Sequence, residues 1–189
     1  MKSIKLVVAV LAVLVMIPAS SYALVDFGAY GGYSYANLDK GGTQDNIKGW
    51  EYGAFGHLNT GLPMLFTIGL GGFYQVTNST LEYNSEDVDV TRTMYGLDAI
   101  FILELPLLPV NPFVRGGLAI NEELEIEIGN SDPAEEKFKS YYVALGVGYS
   151  IFPMTKIFAE YVFNYSKQED DSKVNSNAIH VGLMINIGL

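Results

Sequence analysis

The sequence predicts an all-β protein, an eight-stranded antiparallel up-and-down β-barrel that spans a membrane. In eight segments, large apolar residues alternate with small or polar ones at a period of two, which is the spacing of a strand with one apolar face. The connections between these segments alternate between short and long. The composition is also rich in residues typical of β-barrels, with 20 Gly, 13 Tyr and 10 Phe among 189 residues.

Residues 1–23 have the layout of a secretory signal peptide. A basic start with Lys2 and Lys5 precedes the apolar run Leu6–Ile17, and Ser21 and Ala23 supply the small residues of a cleavage site. The run is shorter than the roughly 20 apolar residues of a transmembrane helix. We therefore expect residues 1–23 to be a signal peptide and 24–189 to form one barrel domain, with an uncleaved anchor or a buried helix as the alternative for the apolar run.

The first four alternating segments are residues 25–35, 50–58, 66–75 and 92–104. In the first, Phe27 and Tyr33 share one face, while Asp26 and Ser34 share the other. The other three repeat this pattern, although Phe55, Met94, Ile100 and Ile102 fall on the less apolar side. The apolar face is expected to carry Phe27, Tyr33, Tyr35, Trp50, Tyr52, Leu58, Phe66, Ile68, Leu70, Tyr74, Tyr95, Leu97, Phe101 and Leu103.

The last four segments are residues 114–120, 143–151, 157–165 and 179–189, and their alternation is more regular. Gly, Ala and Ser hold much of the opposite face, as in the 143–151 segment, where Ala144, Gly146, Gly148 and Ser150 alternate with larger residues. Most of the eight segments are close to the 9–11 residues that a transmembrane strand needs.

The connections differ in length on the two sides of the predicted sheet. Those at 59–63, 106–111 and 152–155 are short, whereas those at 38–46, 78–87, 121–139 and 167–175 are longer and polar. Short turns on one side and long loops on the other are typical of an outer-membrane barrel whose long loops lie outside the cell.

The alternation alone does not say which face lies outside, because a soluble lipocalin-like barrel would turn the apolar face inward. The opposite face is mostly Gly, Ala and Ser, which suits a narrow eight-stranded lumen better than a solvated exterior. The apolar face also carries more large aromatics than such a lumen could hold. We therefore expect the apolar face to meet lipid, with Phe27, Trp50 and Tyr52 in the interfacial aromatic girdles.

The chain resembles the small porin-like outer-membrane barrels, the group of the OmpA membrane domain and the OmpX/Ail type. The resemblance lies in the signal peptide, the eight strands and the segments 27–33, 111–118 and 181–189. It implies the outer membrane of a Gram-negative envelope as location. It implies outer-membrane lipid and the barrel assembly machinery as partners.

Five charged residues are predicted to point into the lumen: Glu51, Arg92, Asp98, Arg115 and Glu160. Buried charges are costly unless paired, so we expect a structural polar network, with a conducting polar path as the alternative. The order of the strands predicts the pairs Glu51 with Arg92 and Arg115 with Glu160.

Several kinds of chemistry are disfavoured by the sequence. The chain has no Cys, which excludes thiol catalysis and thiolate metal sites, and its net charge of -10 does not suit nucleic-acid binding. His57 and His180 have no partner at metal-ligand spacing and no Ser placed for a lipid A deacylase, so we expect neither a metal, nor a cofactor, nor enzymatic activity.

The long loops concentrate the negative charge, with 15 Asp or Glu against five Lys. In the third, Glu123, Glu125 and Glu127 alternate with apolar residues before a turn-like stretch that contains Asp132, so we expect a protruding hairpin. These four residues are the candidate contacts for an unidentified surface partner, with a solvated acidic loop that aids solubility as the alternative. The sequence thus favours a structural or adhesin-like surface role. A small passive channel is the alternative, and a lipid-modifying envelope enzyme is a weaker one.

Overall fold

The computed structural model describes residues 24–40, 43–62, 65–83, 86–104, 108–127, 134–137, 139–152, 154–167 and 173–188. The predicted signal peptide and Asp132 lie outside these residues. In the described part of the chain, no helix is long and apolar enough to cross a membrane.

The described residues form nine strands. These are β1 (Leu24–Lys40), β2 (Thr43–Leu62), β3 (Phe66–Tyr83), β4 (Glu86–Leu103), β5 (Val110–Glu127), β6 (Ala134–Lys137), β7 (Lys139–Phe152), β8 (Thr155–Lys167) and β9 (Lys173–Gly188). Eight of them pair antiparallel in the order β1-β2-β3-β4-β5-β7-β8-β9, and β9 pairs back to β1, so the sheet closes on itself. The predicted eight-stranded antiparallel barrel is confirmed. The short β6 pairs only with the end of β5.

The large apolar side chains of the predicted outer face do lie outside the barrel. Phe27, Trp50 and Tyr52 are 53%, 69% and 50% exposed, and Leu, Ile, Val and Tyr residues cover the rest of this surface. An exposed apolar surface of this extent is unfavourable in water but suits contact with lipid. A soluble barrel with its apolar face inward is therefore excluded.

The strands are longer than predicted, which corrects the expected loops at 38–46 and 78–87, whereas the pairing of β6 with the end of β5 agrees with the hairpin expected within 121–139. β2 has 20 residues and β3, β4 and β5 have 18 each. Pairing continues through most of the segments 38–46, 78–87 and 121–139, up to Lys40 opposite Thr43, Tyr83 opposite Glu86, and β6 opposite β5. In 38–46 and 78–87 the alternation of apolar residues fades although the backbone ladder does not, because a strand outside lipid needs no apolar face.

The barrel therefore has two unlike ends. We call the end with connections at 41–42, 84–85, 128–133 and 168–172 the upper end, and the end where β1 begins the lower end. A strand of 18 residues is about 60 Å long and rises about 45 Å at the usual tilt, whereas the hydrocarbon layer is only about 30 Å thick. The excess forms a collar at the upper end: residues 36–40, 43–50, 76–83, 86–93, 121–127 and 134–137.

The interior is filled by larger side chains than the sequence suggested. Instead of mainly Gly, Ala and Ser, it holds one connected cluster that includes Tyr30, Phe55, Phe73, Met94, Ile100, Ile102, Phe113, Tyr142, Phe158 and Met184. The inward glycines make this possible: a Cβ on Gly28 would overlap the ring of Phe55, and one on Gly146 the ring of Phe113. Four of these interior residues, Phe55, Met94, Ile100 and Ile102, are the ones that interrupt the sequence alternation.

Candidate functional site

A belt of ionic and hydrogen-bonding side chains crosses the middle of the lumen. All eight barrel strands contribute to it, because each turns every second side chain inward. Its charged or ionisable members are Glu51, His57, Asp98, Arg115, Glu160 and His180, and each is at most 5% exposed.

Arg115 is the centre of this belt. Its guanidinium donates to Glu160 through Nη2 at 2.5 Å and Nε at 3.3 Å, and to Asp98 through Nη1 at 3.4 Å. The rings of Phe55, Tyr142 and Tyr30 surround the same group, with centroids 4.5, 5.2 and 5.4 Å from its carbon atom. Two carboxylates and three aromatic rings thus compensate one fully buried cation.

His180 links two carboxylates. Its Nδ1 lies 2.9 Å from Glu160 and its Nε2 lies 2.5 Å from Glu51, while its ring stacks on Tyr30 with centroids 4.4 Å apart. A carboxylate only accepts hydrogen bonds, so this arrangement requires either the imidazolium form of His180 or a proton on one carboxyl group. Glu51 also accepts a hydrogen bond from Thr77 at 3.0 Å.

His57 completes the belt on its other side. Its Nε2 lies 3.0 Å from Asp98, which also accepts a hydrogen bond from the hydroxyl of Tyr142 at 2.7 Å. A continuous chain of contacts therefore runs from His57 through Asp98, Arg115 and Glu160 to His180.

A second cluster lies above the belt, around Arg92. Its guanidinium donates to Glu122 at 2.6 Å, to Ser166 at 2.7 Å and to Ser176 at 3.3 Å. Ser166 in turn donates to Glu122 at 3.2 Å and accepts from Ser140 at 2.8 Å. This cluster joins β4 and β5 to β7, β8 and β9 across the upper lumen.

Further polar contacts close the lower end. Glu104 meets Lys156 at 3.4 Å and accepts a hydrogen bond from Asn111 at 2.9 Å, and Asn186 donates to Asp26. These contacts join neighbouring turns and strand ends. The side chains of Lys156 and Glu104 are more exposed to solvent than those of the belt.

All five charged residues of the sequence prediction lie inside the barrel, but only one of the two predicted pairs forms. Arg115 and Glu160 meet, whereas the pairing of Glu51 with Arg92 is wrong. Gly32 explains the difference, since it lies between Glu51 on β2 and His180 on β9 and its missing side chain lets those two groups meet. Arg92 instead reaches Glu122 on the neighbouring β5.

Sequence reasoning missed three charged or ionisable members of these clusters. His57 and His180 were weighed only as metal ligands or as parts of a Ser-His site, although both have the parity of inward residues. Glu122 was placed in the third loop, because the β-bulge between Ala119 and Asn121 that turns it inward leaves no signal in the sequence pattern.

The candidate external contacts are only partly described. Glu125 is exposed on the outer face of β5, and Glu123 on the same face accepts a hydrogen bond from Asn121 at 2.7 Å. The backbone of Glu127 lies opposite Asp89. The collar thus presents carboxylates outward.

The chemistry of the belt is that of mutual charge compensation. In the described part of the chain, no group of three His, Cys, Asp or Glu residues could hold a metal ion. Among the same residues, neither histidine has a ring nitrogen bonded to a Ser or Thr hydroxyl, the contact that a Ser-His type of nucleophile needs.

Comparisons with known proteins identify the family to which this barrel belongs. A family model described as the outer membrane protein beta-barrel domain matches residues 6–186. Among solved structures, the chain is similar to Neisserial surface protein A, with a TM-score of 0.63, 18% sequence identity and coverage of 84% of this chain and 96% of that one. It is also similar to Ail, the attachment invasion locus protein of Yersinia pestis, solved in complex with the heparin analogue sucrose octasulfate. That match has a TM-score of 0.51, 16% identity and coverage of 85% of this chain and 99% of that one. No curated protein matches the chain in sequence.

Proposed function

Because this chain belongs to the family of outer-membrane β-barrel domains, we propose that it acts as a surface-interaction protein whose collar and upper hairpins meet a partner while its lumen stays closed. The observation that carries this proposal is the length of the strands. β2 to β5 continue well beyond the hydrocarbon layer, and the excess is a paired sheet at the upper end.

The filled interior supports a structural role for the lumen rather than conduction. The belt, the Arg92 cluster and the apolar cluster occupy the space that a conducting path would need. Ile47, Val88, Val90 and Leu124 are buried above them in the collar. An eight-stranded barrel has room for its own side chains and little else, so we place the passive channel second.

The charge of the collar limits the kind of partner. Ail was solved with a sulfated heparin analogue. The collar of this chain, in contrast, presents Asp89, Glu123 and Glu125 outward, and the chain as a whole has a net charge of -10. A polyanion would be repelled by this surface. We therefore infer a partner that is neutral or basic, and we assign the barrel no catalytic step.

The test is to remove the projecting hairpin without disturbing the lumen. Residues 126–136 are replaced by a short Gly-Ser linker, which keeps Glu122 for Arg92. We expect heat-modifiable gel mobility to persist, because the removed residues lie beyond the hydrocarbon span and loop length costs little free energy.

Cells that express this variant and cells that express the wild type are compared for binding to immobilised envelope proteins and to host-cell surfaces. The matched control exchanges residues 153–154 in a lower turn for Gly-Ser. Loss of binding only in the hairpin variant supports the surface role. Assembly without any change in binding contradicts it.

A further inference from the structure

A polar groove lies on the outer surface at the base of the collar. It has a volume of about 440 Å³ and is lined by the outward side chains of Trp50, Asn78, Thr80, Asp89, Thr91 and Glu125. This volume falls within the range of small-ligand sites. Strand register explains the groove: Trp50, Asn78, Thr91 and Glu125 lie side by side on β2 to β5, with Thr80 and Asp89 in the next row up.

The height of the groove along the barrel indicates which layer of the membrane it faces. Tyr74 and Tyr95 lie opposite each other on the outer face, and below them the surface is aliphatic, with Leu97 and Leu118. Such a change marks the interface. The groove begins four residues higher along the strands, which is about 10 Å after tilt. It therefore opens sideways into the layer of lipid headgroups and not upward from a loop tip.

One wall of the groove is an aromatic face held in place. Trp50 is 69% exposed, and its ring packs edge-to-face with Tyr33 on β1, with centroids 5.5 Å apart and planes at 82°. An indole in this position offers an apolar surface to the flat, C–H-rich side of a sugar ring, while its surroundings remain wet.

The other walls are neutral or acidic hydrogen-bonding groups. Asn78 and Thr91 are within 3.5 Å of each other through Oδ1 and Oγ1, and both residues line the groove. Asp89 and Glu125 add carboxylate acceptors, and no basic side chain is among the lining residues. Lys48 lies opposite Thr80 at the edge of the groove, with its ammonium group over the ring of Tyr35 on β1. Acceptors beside an amide donor suit hydroxyl groups, whereas phosphate or sulfate groups would be repelled.

From this geometry we propose that the groove binds the neutral saccharide headgroup of a glycolipid in the outer leaflet beside the barrel. The inference rests on the proposed surface-interaction function, for which it names one class of ligand. Trp50 would stack on a sugar ring, while Asn78, Asp89 and Glu125 would hydrogen-bond its hydroxyl groups.

The experiment uses the fact that Trp50 is the only tryptophan in the chain, so tryptophan fluorescence reports on this groove alone. Protein purified from outer membranes is transferred into phosphatidylcholine vesicles that contain digalactosyldiacylglycerol, phosphatidylglycerol or neither. We expect the emission of Trp50 to shift only with the digalactosyl lipid. Equal emission in all three vesicles overturns the proposal.

Variants separate binding from a change in the bilayer. Asn78→Ala combined with Asp89→Ala removes two hydrogen-bonding groups and should weaken the response to the digalactosyl lipid about ten-fold or more. The matched control is Asn177→Ala, on the outer face of β9 and away from the groove, and it should respond like wild type. An equal loss in both overturns the proposal.

Two further experiments test whether the sugar must be part of a membrane lipid, and whether the groove inference can fail while the proposed function holds. The soluble digalactoside should shift the emission only at much higher concentration, because the bilayer concentrates the lipid at the groove; a response as strong as to the lipid overturns the assignment to a membrane glycolipid. If the hairpin replacement abolishes surface binding while the groove variants respond like wild type, the groove inference fails and the proposed function stands.

Discussion

Arg115 is 1% exposed and depends on Glu160, Asp98 and three aromatic rings for compensation. A buried ion pair is weak evidence for net stability, but removing one partner leaves an uncompensated charge. The belt therefore determines which side chains can meet across the lumen. Its effect on the free energy of unfolding is expected to be large only when one charged partner is removed.

Arg115→Leu should lower the free energy of unfolding by about 3–5 kcal/mol, because Glu160 and Asp98 lose their cation. Combining it with Glu160→Gln should cost less than the sum of the two single changes. Urea unfolding of the purified protein measures each effect. Lys156→Leu is the control, since its pair with Glu104 is partly exposed and should cost at most about 1 kcal/mol. Additive effects of Arg115→Leu and Glu160→Gln would contradict a direct pair.

Gly32 and Gly31 provide a matched test of how Glu51 meets His180. A Cβ on Gly32 would fall against the backbone carbonyl of Ile179 and the ring of His180, whereas one on Gly31 has only the Glu51 carbonyl oxygen, at 4.0 Å. We expect Gly32→Ala to destabilise the barrel by about 1–3 kcal/mol. Gly31→Ala should be nearly neutral in the same unfolding experiment. Equal stability of the two variants would contradict the close approach of Ile179 and His180 to Gly32.

At the scale of the element, β5 shows how far the sequence could predict the structure. Its outward residues Val114, Leu118 and Ile120 were placed correctly, because lipid on one side imposes a period of two. Its upper end was expected only as one arm of a hairpin, and the inward position of Glu122 was missed, because a β-bulge between Ala119 and Asn121 shifts the parity of the residues that follow. Which charges pair depends on the stagger of the closed barrel, a property of all eight strands and not of any one segment.

Glu122 and Glu125 lie on opposite faces of β5, which makes them a matched pair. Glu122→Gln should destabilise the barrel by about 3 kcal/mol, because Arg92 is left buried without its carboxylate. Glu125→Gln should change stability little, since that side chain is exposed. Urea unfolding of both variants decides the matter, and similar losses would mean that the register of the upper part of β5 is wrong.

At the scale of the whole molecule, the barrel combines a lipid-facing apolar surface with an interior of apolar rings and compensated charges. Closure removes every free edge from the eight strands and satisfies the backbone within the bilayer. The interior is therefore free to act as a core, and the variation open to function lies on the outer face of the collar, where side chains meet neither the hydrocarbon layer nor the packed lumen.

A closed core of this kind should not conduct ions. We expect the purified protein in planar bilayers to give no discrete current steps, because Arg115, Phe55, Phe158 and their neighbours fill the lumen and Arg115 is held there by Glu160 and Asp98. A large porin, whose sixteen or more strands leave an aqueous channel, serves as the conducting control. Heat-modifiable mobility of the same sample shows that the protein is folded. Current steps from folded protein would mean that the belt opens in the membrane, and the channel interpretation would then replace the closed lumen.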